Sequence, residues 1–194
     1  MKHLFGENWE TAQAYADILA TDGVARGMIG PREVPRLWDR HLWNCVVVVP
    51  RIPAGATVAD VGSGAGLPGL VWAIARPDIE MTLVEPLLRR TTFLTEVVER
   101  LGLSNVTVDR SRAEDVSSVF DVVTARAVAP MDRLAGWCLP LVREGGVLLA
   151  LKGRTAADEV ASSRRTLMRL GATSIEVQAY GDLEVPTTVV EITR

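Results

Sequence analysis

One run of the chain, Asp60-Val61-Gly62-Ser63-Gly64-Ala65-Gly66-Leu67-Pro68-Gly69, places four glycines close behind an acid. Glycine permits left-handed turns and lets the backbone come close to a bound molecule, so such a loop between a strand and a helix suits a ligand held by main-chain amides. The spacing is Asp-x-Gly-x-Gly-x-Gly, and position 67 is leucine. That departs from the Gly-x-Gly-x-x-Gly pattern and argues against a pyrophosphate cradle. Glu85 follows Gly62 by 23 residues and closes an apolar stretch. An acid there accepts hydrogen bonds from both hydroxyls of a ribose. After the next apolar stretch comes Arg112-Ala113-Glu114-Asp115. Its backbone amides and one carboxylate could read an adenine edge, or the same residues could cap a short helix.

These groups need a scaffold, and the hydrophobic pattern supplies one. Short apolar stretches at 57–61, 80–84, 105–108, 120–124, 147–151, 175–179 and 188–192 read as seven strands. Helical patterns lie between them at 67–75, 87–101, 131–141 and 156–170, with Gly102 and Gly171 as stop signals. The alternation predicts an α/β fold, a doubly wound and mostly parallel sheet covered on both faces. No helix-length segment separates the last two strands, which predicts an antiparallel hairpin at one edge. Before Thr57 the pattern is helical: Trp9, Ala12, Ala16, Leu19 and Ala20 precede Gly23, then Pro35 suits the start of a second helix with Leu37, Leu42 and Cys45 on one face. Pro50, Pro53 and Gly55 end it. The expected division is a helical segment, 1–55, packed on a ligand-binding domain, 56–194, as one compact unit.

Composition narrows the class. With 194 residues, 48% hydrophobic and 23% charged, the chain can bury a core of its own. Its longest apolar runs, 45–49 and 147–151, fall far short of the roughly 20 residues that span a bilayer. The first residues turn polar before any export signal could develop, so no membrane association and a cytoplasmic location are expected. Two cysteines, Cys45 and Cys138, make neither a disulfide framework nor a zinc site. No metal is expected, and a monomer is the working expectation. The formal charge of -3 excludes a partner held by bulk electrostatics but leaves room for a local basic face.

Ribose and adenine contacts without a pyrophosphate cradle point to S-adenosyl-L-methionine as cofactor. Here the chain resembles the RsmG (GidB) family of bacterial rRNA methyltransferases. The resemblance rests on Leu37-Trp38-Asp39-Arg40-His41-Leu42, the glycine loop, Phe93-Leu94 with Leu101-Gly102-Leu103, Arg112-Ala113-Glu114-Asp115, Thr124-Ala125-Arg126-Ala127-Val128-Ala129-Pro130 and Leu151-Lys152-Gly153. It implies a Rossmann-like class I methyltransferase fold, cofactor contacts at Gly62, Leu67, Ala113, Glu114 and Arg126, and methylation of guanine N7 in a decoding-region loop of 16S rRNA, with the small ribosomal subunit as partner. Gly64, Gly66 and Glu85 join the cofactor set from the loop and strand-end reading above. The chain departs from the family at Arg89-Arg90, where a lysine is expected before the arginine.

The chemistry agrees with that resemblance. Thr124-Ala125-Arg126-Ala127 offers neither the Asn/Asp-Pro-Pro-aromatic pattern suited to an exocyclic amine nor a cysteine nucleophile for a pyrimidine carbon. Guanine N7 already carries a lone pair, so alignment rather than a general base is what the reaction asks for, and no catalytic residue is expected. Arg126 could hold the methionine carboxylate or position RNA, or pair with Asp60 or Glu85. Lys152, one of only two lysines, could meet a phosphate or guanine O6, or cap the Gly153 turn. Arg36, Arg40 and His41 could form an RNA-facing rim or a solvated charged face. The five tryptophans are expected in the core. Two other functions share the cofactor site: a small-molecule methyltransferase, with the N-terminal helices as a lid over a closed apolar pocket, and a regulatory nucleotide-binding module without turnover.

Overall fold

The computed structural model describes residues 2–126, 129–182 and 184–194. Among them are seven strands: β1 (Thr57–Val61), β2 (Glu80–Val84), β3 (Val106–Asp109), β4 (Phe120–Arg126), β5 (Val142–Lys152), β6 (Ser174–Tyr180) and β7 (Thr187–Thr193). They form one sheet in the order β3-β2-β1-β4-β5-β7-β6. The first five are parallel, and β7 runs antiparallel to both β5 and β6. The expected doubly wound α/β sheet with its terminal antiparallel hairpin is the fold observed. The winding reverses beside β1, between β2 and β4, and a crevice at such a switch point is where open α/β sheets bind ligands. The glycine loop leaves β1 at that crevice, and Arg126 ends β4 beside it.

The central strands bury both faces, and alternate residues divide between two apolar clusters. Val58, Val122, Leu149 and Val189 join one cluster with α3 (Gly69–Ala75), α4 (Leu88–Leu101) and the N-terminal segment. Ala59, Val123, Ala150 and Val190 join the other with α5 (Met131–Cys138) and α6 (Ala156–Arg169). The N-terminal helix α1 (Trp9–Ile18) lies on α3 and α4, and α2 (Trp43–Val46) lies on α3. The Trp72 indole N–H crosses that contact to donate to the Cys45 carbonyl at 2.9 Å.

Several elements depart from the sequence pattern for local reasons. The second N-terminal helix does not start at Pro35. A three-ten turn, Pro31–Arg36, begins after extended Gly30, continues through a wide turn, Leu37–Leu42, and becomes α-helical only at α2. Pro35 sits inside the first of these turns, where its missing N–H prevents a regular α-helical ladder. Its apolar face is nonetheless Leu37, Leu42 and Cys45, all buried. Strand β5 starts five residues before the apolar stretch, with a register shift against β4 opposite Gly145-Gly146. Helix α3 begins at Gly69 rather than 67, because Asp60, reaching up from β1, accepts the Gly69 N–H through Oδ2 at 2.9 Å and so fixes the first turn. A side chain at position 69 would meet Leu83 Cδ2 at 2.4 Å and Asp60 Oδ2 at 2.6 Å, so the approach requires glycine.

Asp60 is fully buried, its other oxygen has no partner, and burial pushes its carboxyl up to about 7. A carboxyl whose folded pKa is raised binds more protons folded than unfolded between its two pKa values, so its share of stability is present at about pH 4 and is lost as pH rises toward 7. Urea unfolding across that range should show the wild-type advantage over Asp60→Asn shrinking by roughly 2–4 kcal/mol as pH rises. Parallel stability curves would mean that Asp60 does not titrate in this way.

Candidate cofactor and acceptor site

Gly62, Gly64 and Gly66 all take left-handed backbone angles, with φ of 71°, 59° and 97°. Side-chain-bearing residues adopt these angles at a cost, which explains the alternating glycines. Neighbours on three sides hold the loop. The Gly62 and Ser63 N–H groups donate to the Val84 carbonyl at 2.8 and 3.3 Å. The Gly64 N–H donates to Glu85 Oε2 at 3.1 Å, and the buried Tyr15 hydroxyl donates to the Ala65 carbonyl at 2.8 Å. Gly66 has a packing role, since a Cβ there would stand 2.4 Å from Leu70 Cδ1 and 3.0 Å from the Tyr15 hydroxyl.

Glu85 follows β2 directly and is almost wholly buried. Its Oε1 accepts the Leu87 N–H at 3.0 Å, and Arg90 Nη1 lies 3.3 Å from Oε2. Arg90, rather than Arg89, is therefore the arginine of that pair in contact with the site. On one side of the loop, Gly62, Glu85, Ala113, Glu114, Ser111 and Trp137 line a cavity of about 350 Å³. Trp137 is thus an exception to the expectation of tryptophans in the core. Trp9, Trp38 and Trp43 instead gather with Phe5 in a half-buried aromatic cluster of the N-terminal segment. On the other side, Gly62, Gly64, Leu67, His41 and Arg126 line a second cavity of about 430 Å³.

The two cavities share Gly62 and Arg90 and suit the two ends of S-adenosyl-L-methionine. The first offers a buried carboxylate for ribose hydroxyls and a largely apolar wall, with Val61, Leu87, Ala113 and Trp137, for the face of an adenine. The second offers the Arg126 guanidinium for a carboxylate beside the glycine loop. Among the described residues, no group of three or more His, Cys, Asp or Glu side chains is placed to hold a metal ion, and no helix is long and apolar enough to cross a membrane.

Arg126 does not pair with Asp60 or Glu85. Its Nη2 donates to His41 Nδ1 at 2.6 Å and its Nη1 to the Cys45 thiol at 3.4 Å. Burial pushes that thiol up to about 11 despite the guanidinium, so it stays protonated at neutral pH. His41 Nε2 lies 2.9 Å from Glu33 Oε2. Beyond this junction a cleft of about 690 Å³ opens, lined by Arg126, His41, Arg40, Arg154, Lys152 and Thr187 among others. It adjoins a further hollow of about 480 Å³ that Arg36, Arg40 and Arg154 line. Arg40 is half-exposed, with Nη1 3.5 Å from Glu33 Oε1.

Lys152, read as a phosphate or guanine O6 contact or as a cap of the Gly153 turn, lines the open cleft and is engaged by protein partners there. Its side chain is 6% exposed, with Nζ 2.6 Å from Glu159 Oε2 and 2.9 Å from the Ala129 carbonyl. Glu159 also accepts the Met131 N–H at 3.0 Å, so the pair anchors the entry to α5. Ala127 and Val128, between Arg126 and that entry, lie outside the described residues. The sequence reading missed Tyr15, Glu33, Cys45, Arg90 and Arg154 as site residues. Arg154, two positions after Lys152, was findable as a cation at the same strand end, whereas Tyr15 was hidden in an apolar helical face.

The family model described as "GidB: rRNA small subunit methyltransferase G" matches residues 8–185. The ribosomal RNA small subunit methyltransferase G of Salinispora arenicola is 59% identical, over 98% of this chain and 84% of that protein. That of Thermobifida fusca is 58% identical, over 99% and 83%. Among solved structures, a putative S-adenosyl-L-methionine-dependent methyltransferase of Methanococcus maripaludis superposes with a TM-score of 0.66 at 12% identity, covering 94% of this chain and 91% of that one. Aeropyrum pernix fibrillarin, solved with S-adenosyl-L-methionine bound, gives 0.55 at 19% identity, covering 72% and 67%. These two likenesses concern the fold. With sequence match, sheet order and glycine loop in agreement, the chain belongs to the rRNA small subunit methyltransferase G family.

Proposed function

We propose that the chain transfers the methyl group of S-adenosyl-L-methionine to N7 of a guanine in the decoding-region loop of 16S rRNA, acting as a cytoplasmic monomer on RNA of the small ribosomal subunit. The observation that carries this reading is the position of Arg126 and His41, which line both the cofactor cavity and the open cleft, so donor and acceptor meet at one place. The bound cofactor supplies an electrophilic methyl group on a positively charged sulfur.

The chain's own residues bind and orient. Glu85 receives the ribose hydroxyls, Ala113 and Glu114 face the adenine, and Gly62, Gly64 and Leu67 form the wall along the middle of the cofactor. Arg126 offers its guanidinium to the cofactor's carboxylate. Guanine N7 needs no proton removed before it attacks, and both ring nitrogens of His41 are already engaged, by Arg126 and by Glu33. Rate enhancement then comes from alignment and from placed charge. Arg36, Arg40 and Arg154 stand where they can follow an RNA backbone, and an open cleft with arginines on its rim favours a polynucleotide over a small apolar acceptor.

Labelled methyl transfer to small subunits from a strain lacking this gene, followed by digestion to nucleosides, tests the reading. Label in 7-methylguanosine is expected, and Arg126→Ala should lower the rate at least about tenfold with the fold intact. No label in RNA, with cofactor binding still measurable, would move the function to a small-molecule acceptor or a regulatory module. For the cleft, Arg154→Ala should weaken RNA binding across sequences and reduce the slope of log affinity against log salt by about 1. An unchanged slope would remove Arg154 from the phosphate path.

A further inference from the structure

Arg126 is held in an unusual way for a half-buried arginine. Its guanidinium carries five N–H donors, and enclosed arginines normally lie against a carboxylate. Among the described residues its side-chain partners are instead two uncharged acceptors, His41 Nδ1 and the Cys45 thiol. Both come from the N-terminal segment, four positions apart, and both reach Arg126 at the carboxyl end of β4, His41 from the cavity lining and Cys45 from the core. A carboxylate in that place would have neutralised the cation. A neutral acceptor fixes its position and leaves its charge for an incoming anion.

We propose that His41 is the positioning residue for Arg126: its Nδ1 lone pair sets where the guanidinium stands between the cofactor cavity and the acceptor cleft, and Glu33 selects the tautomer that makes this possible. This inference rests on the reading of Arg126 as the group that binds the cofactor's carboxylate. Nδ1 accepts a hydrogen bond only when Nε2 carries the sole ring proton, and Glu33 Oε2, 2.9 Å from Nε2, receives that proton's hydrogen bond. The charged groups facing His41 are Arg126 from β4, Glu33 from the Pro31–Arg36 turn and Arg40 from its own turn. Burial and the Arg126 charge hold the imidazole below its ordinary pKa, against the pull of Glu33, so it is neutral at pH 7. Protonation in acid turns the acceptor into a second cation facing Arg126 and breaks the contact.

Two conservative variants separate positioning from packing. His41→Asn places an amide oxygen near the Nδ1 position and keeps the acceptor for Arg126, whereas His41→Gln places an amide nitrogen near Nε2 and keeps the donor for Glu33. Cofactor affinity by calorimetry, kcat and KM for methyl transfer between about pH 5.5 and 8, and thermal unfolding would be measured for both, for His41→Ala, for Arg126→Ala and for the double variant. The expected result is a loss of cofactor affinity of about tenfold in His41→Ala and His41→Gln, with His41→Asn within about threefold of wild type and all three folded. The acid-side fall in wild-type activity contributed by His41 should disappear in His41→Asn. His41→Ala should add nothing on the Arg126→Ala background. Equal damage in His41→Asn and His41→Gln, or additive losses in the double variant, would overturn the positioning role while leaving Arg126 in the site. Normal cofactor affinity in Arg126→Ala would overturn the reading of Arg126 itself, and the inference with it.

Discussion

The glycine loop has few side chains with which to hold its own shape, Ser63 Oγ donating to the Asp60 carbonyl at 2.8 Å, so what binds against it depends largely on what grips its backbone from outside. Three grips are present. The Val84 carbonyl ties the loop to β2, Glu85 takes the Gly64 N–H, and the Tyr15 hydroxyl reaches from α1 to the Ala65 carbonyl. The last comes from an element that the sheet does not contain. Residues before Thr57 therefore do more than cover an apolar face. They fix the loop through Tyr15 and the end of β4 through His41 and Cys45, so one segment registers both walls of the donor cavity.

Charge in this crevice follows a consistent pattern. The two buried acids, Asp60 and Glu85, accept main-chain N–H groups, a strong way to satisfy a carboxylate in a poorly solvated place. The cation at the junction, Arg126, is held by neutral acceptors and keeps its charge available. Further out, Lys152 and Glu159 neutralise each other and brace the entry to α5, while Arg36, Arg40 and Arg154 line the open side. Enclosed pairing thus serves the architecture, and Arg126 with the rim arginines, of which Arg40 also meets Glu33, faces where an anionic cofactor end and an RNA backbone would lie.

Strand positions and the order of strands and helices were legible because burial on two faces leaves continuous apolar runs at regular spacing. The glycine loop and Glu85 were legible because their chemistry is local to a strand end. Residues whose role depends on a distant partner were not. Tyr15 sits on an apolar helical stripe, and nothing nearby in sequence shows that its hydroxyl meets a carbonyl 50 residues away. Lys152 stood out by rarity, yet its partner Glu159 belongs to the next helix, so the pairing became visible only in three dimensions. The second N-terminal helix was misread at its start because Pro35 is as compatible with a three-ten turn as with a first α-helical position.

Cofactor affinity in Tyr15→Phe tests most directly whether the N-terminal segment shapes the donor site, because the substitution removes one hydroxyl and keeps the ring that fills the core. Calorimetry on a folded variant should show affinity for S-adenosyl-L-methionine reduced by roughly threefold to tenfold, since the Ala65 carbonyl loses its partner and the loop loses one of its three grips. An affinity equal to that of the wild-type chain would show that the loop holds its binding shape without the segment and would contradict the account.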